Sequence, residues 1–401
     1  MASALAGVRV LDLSRVLAGP WASQILADLG ADVIKIERPG SGDETRTWGP
    51  PYHTDAGGRA TAAYFLGTNR GKRSLTVDFT KPAGADIIRR LAAESDVFLE
   101  NHKVGDLARY GLDYATLRSI NPKLVYCSIT GFGQTGPYAS RPGYDFAIQA
   151  LSGLMSVTGE PDGAPQKVGV AVSDLMAGLY ATVAILAALY HRGERGEGQV
   201  IDLALLDVQV AALANVALNY LVSGDVPGRW GNAHPNIVPY QVFPTADRPI
   251  VIAVGNDAQF ARLCEVLEQP TWSGDARFAT NDGRVRHRAA LVSLISDALR
   301  HDARDTWLAR LEAAAVPCAP INDVAELFAD PQVAHRGLTF DLPVAGGGTV
   351  PQIASPLRLA ATPPRVDVPP PALGEHTAAI LQERLGMDAA KIAQLRREGV
   401  V

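Results

Sequence analysis

Apolar and polar residues alternate in blocks through the first third of the chain. VRVLDL is a short apolar run that fits a strand, WASQILADLG carries apolar residues at helical spacing and closes on Gly30, and ADVIKIE is a second strand. SLTVDF, GADIIRRLAAES, DVFLEN, YATLRSIN and LVYCSIT then read as strand, helix, strand, helix and strand, with Pro82 suited to a first helical turn. This alternation predicts an α/β doubly wound region, a parallel sheet covered by helices.

Beyond it lies the longest apolar run, Leu175–Tyr190, introduced by VAVSD. It is shorter than the roughly 20 residues a membrane helix needs, and its small residues suit close packing, so a buried core helix is expected. In HRGERGEGQVIDLALLD a polar, glycine-rich turn leads to another strand and then to a largely apolar helix over Ala204–Leu221. From Ser223 to Asn236 the composition shifts to Gly, Pro, Trp and His, as in a linker or functional loop. A second unit follows, with strand-like QVFPT and PIVIAVG and helices in AQFARLCEVL, RAALVSLISDALR and DTWLARLEAAAV. Past Pro331, AGGGTV reads as a hairpin turn, TPPRVDVPPPA as an extended surface segment and Ala389–Arg397 as the last helix.

With 401 residues, two domains are the natural expectation. A net charge of −5 leaves room for a local cationic pocket but argues against nucleic acid as a partner. Three widely spaced cysteines without CxxC spacing suggest reduced thiols, and no metal site is legible. Neither a charged leader nor a long apolar leader opens the chain, so a mature cytoplasmic protein is expected, with no membrane partner.

The first strand–turn–helix unit mimics a dinucleotide-binding fold. Its turn, SRVLAGPW, lacks the G-x-G-x-x-G trio that lets a pyrophosphate approach, which removes the main support for a nicotinamide enzyme. Basic residues cluster instead at strand ends: Arg38 follows the second strand, Lys72 and Arg73 precede the third, and Arg109 follows ENHKVGDLARYG. If the sheet is parallel, Arg38 and the Glu100-Asn101 turn lie at its carboxyl edge, and together the cations suggest a phosphate-rich ligand. At the head of the apolar helix, Ser173 or Asp174 fits an N-cap. Asp174 also fits an ionised nucleophile, because amides and the helix dipole there would stabilise an oxyanion formed as it attacks a carbonyl.

GVRVLDLSRVLAGPW, LADLGADVIKIERPGSGDETR, NRGKRSLTVDF, VFLENHKVGDLARYGLDY, GFGQTGPYASRPGYDFAIQALSGLMSVTG, VSDLMAGLY, LGEHT and the terminal GVV resemble, in order and over nearly the whole chain, the family III CoA-transferases. RTWGPPY, RWGNAHPNIVPYQVF and VPCAPINDVAELFADPQV resemble the succinate–hydroxymethylglutarate, or glutarate, CoA-transferase branch. The resemblance implies a large Rossmann-like domain built from both chain ends (1–222 and 325–401), a smaller α/β domain (226–320) and an interlocked homodimer. It implies Asp174 as the nucleophile, with CoA as a substrate and no resident cofactor. Val16, Ala18, Arg38, Asn101 and Arg109 are carried onto CoA-contacting positions, with Lys72 and Arg73 nearby. Formyl-CoA transferases carry a lysine for CoA where this chain has Arg141-Pro142, so either Arg141 substitutes as a CoA-binding residue or that contact is lost. A donor such as succinyl-CoA and a small dicarboxylate acceptor (glutarate, hydroxymethylglutarate, itaconate or similar) are implied, with Arg46, Tyr144, Arg229, Gly231, Asn232 and His234 as acceptor-side candidates. The α-methylacyl-CoA racemase branch, which has a histidine base where Tyr144 stands, is the alternative, and a non-catalytic CoA-binding protein the next.

Overall fold

The computed structural model describes residues 3–344 and 347–401. Six strands form one parallel sheet: β1 (Arg9–Asp12), β2 (Asp32–Glu37), β3 (Lys72–Thr76), β4 (Val97–Glu100), β5 (Val125–Thr130) and β6 (Val200–Ala204). Their spatial order is β3-β2-β1-β4-β5-β6. The chain reverses its winding between β1 and β4, and in such sheets ligands bind outside the carboxyl ends of the strands at that reversal.

Why the strands read as unbroken apolar runs is visible in where neighbouring residues go. Val10, Val33, Val97 and Leu99 enter a core with helices Ala18–Asp28 and Val172–Arg195, whereas Leu11, Ile34 and Phe98 enter a second core with helices Pro82–Ala93 and Thr377–Leu385. Period-two side chains buried on both faces give a parallel sheet its continuous hydrophobicity. Pro82 sits in the first turn of its helix, as the sequence suggests.

The chain divides into two compact units. The first comprises Met1–Leu154, Val168–Val222 and Pro331–Val401, the second Met155–Lys167 and Ser223–Asp330. Segment 155–167, read from the sequence as part of the large domain, groups with the second unit: Gly231 N donates to Gly159 O, and Arg229 donates to the carbonyls of Glu160, Pro161 and Gly163. That unit has its own core under a three-stranded antiparallel sheet of Tyr240–Phe243, Ile250–Ala253 and Cys318–Pro320.

The expected core helix runs over Val172–Arg195 and ends on Gly196 in the left-handed conformation. Gly178 lies against the helix Ala18–Asp28, where an added Cβ would stand 2.7 Å from Ala18 O. The single helix expected over Ala204–Leu221 is instead two, Leu205–Ala212 and Ala214–Ser223, bent by 74° at Ala214, whose φ is +43°. Thr339–Pro343 and Thr349–Ile353 form the expected hairpin; Ala345 and Gly346 of its turn lie outside the described residues. All three cysteines are free thiols.

Candidate active site

The loop after β1 is built on buried charge. Asp12 accepts from Ser14 N at 2.8 Å, from Ser23 Oγ at 2.5 Å and from Lys72 Nζ at 3.4 Å. Lys35 donates to Ser14 O at 3.0 Å and pairs with Asp43 at 2.9 Å, both side chains being fully excluded from solvent. Asp43 also lies 3.3 Å from Val16 N. Val16 has φ +70°, an uncommon and costly conformation for a β-branched residue, so this network holds a strained turn in place. Asn101 clamps the same turn from β4, accepting from Arg15 N at 2.9 Å and donating to Arg15 O at 2.7 Å.

Two cavities open at this carboxyl edge. One, of about 640 Å³, is lined by Arg15, Arg38, Phe79, Thr80, His102 and Arg109 among others. The other, of about 150 Å³, is lined by Val16, Ala18, Asn101, Arg141, Tyr144 and Asp174, and shares Arg15 and His102 with the first. The Nε2 of His102 is buried without a hydrogen-bond partner at this junction, and burial pushes its pKa down to about 4, so the ring is neutral.

Asp174 is the third residue of its helix and half-buried. Neither Ser173 nor Asp174 is the N-cap, contrary to the capping expectation. Ala171 holds that position without a side-chain cap, and Asp145 accepts from Ser173 N at 2.8 Å while Ser173 Oγ donates to Gln209 at 2.7 Å. Among the described residues no side chain bonds to the Asp174 carboxylate. Nor does the helix terminus keep its pKa in the ordinary carboxylate range: burial, and secondarily the charge of Asp145, raise it to about 7. A group poised near neutrality, uncommitted and facing a cavity, has the profile of a reactive residue rather than of a structural one. Asp174 and Asp145 also help burial to raise the pKa of the half-buried Tyr64, which places that phenol in their field.

Several residues expected at the site are occupied elsewhere. Lys72 is fully buried between Asp12, Asn69 and Pro20 O, where burial lowers its pKa to about 7, and it lines neither cavity. Arg73 pairs with Asp32 at 2.7 Å and Glu383 at 3.0 Å. Arg46, an acceptor-side candidate, instead turns its fork to Glu37 at 2.7 and 2.8 Å and to Pro371 O, with its plane 3.6 Å above Phe65. Arg229 is held by three carbonyls of its own unit, and His234 accepts from Asn236 N at 3.0 Å through Nδ1, fixing its turn. Gly231 and Asn232 are exposed in that unit, Gly231 at φ +57°. Arg38 is exposed and, among the described residues, no acid pairs with it, whereas Arg109 pairs with Asp106. Arg15, His102, Asp145 and Tyr64 were not singled out from the sequence; the nearest signals were the adjacency of Arg15 to Val16, of His102 to Asn101 and of Asp145 to Tyr144.

The family model described as CoA-transferase family III matches residues 5–377. The chain is 55% identical to the succinate–glutarate CoA-transferase of Agrobacterium fabrum, over 94% of this chain and 95% of that one. It is 46% identical to the succinyl-CoA:glutarate CoA-transferase of Homo sapiens, over 99% of this chain and 90% of the other. A crystal structure of a CAIB/BAIF family protein from Brucella suis superposes with a TM-score of 0.84 at 51% identity, covering 96% of this chain and all of that one. Matched across its length in sequence and fold, the chain belongs to CoA-transferase family III.

Proposed function

We propose that this enzyme moves CoA from succinyl-CoA to a small dicarboxylate, glutarate first among hydroxymethylglutarate, itaconate and similar acids, by covalent catalysis on Asp174. The observation that carries this reading is an uncommitted carboxylate in a small cavity that adjoins a larger one lined by Arg38 and Arg109. The names of the relatives above agree with it. The larger cavity takes the nucleotide end of CoA, and the smaller one its thioester.

Asp174 attacks the thioester carbonyl, and the C–S electron pair leaves with sulfur, giving a mixed anhydride and CoA thiolate. The thiolate attacks the aspartyl carbonyl, expelling the donor as a carboxylate and leaving an aspartyl-CoA thioester. The acceptor carboxylate then attacks that thioester, and the released thiolate cleaves the second anhydride at the acceptor carbonyl, restoring Asp174. Each nucleophile and leaving group is an anion, so the cycle closes without net proton transfer, and every intermediate keeps the acyl group activated. The dipole at the N-terminus of the long helix suits the oxyanions formed at each attack.

The homodimer belongs to the same proposal. Leu179, Val183 (65% exposed) and Tyr190 (73%) on the long helix, with Leu218, Leu221 and Val222 (84%) on the helix after the bend, are more apolar surface than a monomer usually leaves open. Sedimentation at micromolar concentration is expected to give a dimer mass, and a monomer would refute it.

Because attack requires the ionised form, and burial with Asp145 raises the Asp174 pKa to about 7, log kcat/KM should fall about one unit per pH unit below about pH 7. Asp145→Asn keeps an oxygen for Ser173 N but removes the charge that adds to burial in raising the Asp174 pKa, so the acidic limb should move part of the way to lower pH. Arg38→Ala should weaken CoA about 10- to 100-fold, the loss of a charge-assisted contact, with a smaller effect for Arg109→Ala because Arg109 is already paired. Equilibrium binding of CoA measures both. The reading as a whole is tested by mixing enzyme, succinyl-CoA and glutarate: glutaryl-CoA and succinate should form in equal amounts. Hydrolysis without glutaryl-CoA, or α-deuteration of an acyl-CoA in heavy water without an acceptor, would replace it.

A further inference from the structure

We propose that Arg141 reads the second carboxylate of the acyl group, and so makes the enzyme choose dicarboxylates; this rests on the CoA-transfer reading above. The sequence suggested Arg141 as a substitute for a CoA-binding lysine. Its position argues otherwise: Arg141 lines the small cavity that holds Asp174 and is absent from the lining of the larger one, where Arg38 and Arg109 await phosphates.

The loop that carries it is pinched shut at its base. A Cβ on Gly131 would stand 2.5 Å from Gly143 Cα, and one on Gly143 would stand 2.2 Å from Gly131 Cα, so only glycines let the two strands of the loop meet. From this base the chain continues directly into Tyr144 and into Asp145, whose carboxylate holds Ser173 N beside Asp174. Within the loop Arg141 N donates to Tyr138 O at 2.9 Å, and the guanidinium lies 3.8 Å over the Tyr138 ring, which in turn meets Phe132 edge-on at 5.6 Å.

Among the described residues no acid pairs with this guanidinium, unlike those of Arg15, Arg46, Arg73 and Arg109. A planar fork already laid against a ring loses little freedom on binding and matches a carboxylate through two parallel hydrogen bonds. Lys103, which lines the same cavity, offers only a point charge on a flexible stem. A cavity of about 150 Å³ suits a short acyl chain between the reacting carbon at Asp174 and a carboxylate at Arg141. Succinyl and glutaryl groups meet both ends, whereas butyrate leaves Arg141 unmatched.

The test compares wild type, Arg141→Gln and Arg141→Lys with butyryl-CoA as donor, so that the donor carries no second carboxylate, and glutarate or butyrate as acceptor. Wild type should prefer glutarate in kcat/KM. Arg141→Gln should raise the KM for glutarate about 10- to 100-fold, the loss of a hydrogen bond to a charged group, and bring the glutarate/butyrate ratio close to one. Arg141→Lys should restore part of the preference, while the Kd for CoA and the single-turnover formation of aspartyl-CoA from butyryl-CoA stay as in wild type. A weakened CoA Kd with an unchanged glutarate/butyrate ratio would return Arg141 to CoA binding, and a wild type that forms aspartyl-CoA but ignores the second carboxylate would also overturn the proposal. Failure of wild type to form aspartyl-CoA would bring down the transfer reading itself.

Discussion

Asp174→Asn is expected to lower the rate of CoA transfer by at least about 10⁴-fold, the scale seen when a covalent nucleophile is removed, while CoA binds as in wild type. Asparagine keeps the size and polarity of the side chain but cannot form an anhydride. The start of the helix does not depend on the Asp174 carboxylate, since Asp145 holds Ser173 N and Gln209 holds the Ser173 hydroxyl. Nor can Asp145 stand in, because its two oxygens are committed to Ser173 N at 2.8 Å and to Gln149 Nε2 at 2.7 Å. Steady-state rates with succinyl-CoA and glutarate, beside equilibrium binding of CoA, measure the two halves of this expectation. Near-normal turnover in the variant would end the covalent account.

The second large effect concerns folding. Asp43→Ala is expected to cost about 3–5 kcal/mol in denaturant unfolding, because it leaves the Lys35 ammonium fully buried without its 2.9 Å partner. The same substitution removes the carboxylate beside Val16 N, so the strained turn should also loosen and CoA affinity should fall. The pH dependence has a definite sign. Although burial alone would raise it, the Asp43 pKa is held down to about 2, first by the Lys35 charge and then by the Thr45 amide. Its contribution is therefore present above about pH 4 and lost as pH falls through the folded value. That part of the acid denaturation of wild type should be missing from Asp43→Ala. A variant within 1 kcal/mol of wild type would show that Lys35 finds another partner.

Much of the fold was legible because strand periodicity and helix spacing are local. The six sheet strands and the long apolar helix follow from such patterns, and a parallel sheet puts Arg38, Asn101 and the turn after β1 at one edge. The break at Ala214 was not legible, since an alanine-rich apolar run carries no mark of a left-handed residue. The charged residues divide differently. Arg38 and Arg46 look alike in sequence, yet one is exposed and the other is bound to Glu37 and to a carbonyl more than 300 positions away. Lys72 was read as a cation facing a ligand and proved to be the buried partner of Asp12. Pairing over such separations is set by topology, which spacing does not encode. Asp174 was legible as a polar residue at the mouth of an apolar helix, but its raised pKa was not, because it comes first from burial set by the tertiary packing and then from Asp145, which reaches it from another helix.

The central claim, that the acyl group and CoA pass through Asp174, is tested most directly by following oxygen. Enzyme turning over succinyl-CoA and glutarate labelled with ¹⁸O in its carboxylates is quenched and digested, and the peptide containing Asp174 is weighed. The anhydride route leaves the bridging oxygen of glutarate on the aspartate, so that peptide should carry ¹⁸O, and hydroxylamine added during turnover should convert Asp174 to its hydroxamate. An unlabelled Asp174 in enzyme that has made labelled glutaryl-CoA would contradict the account.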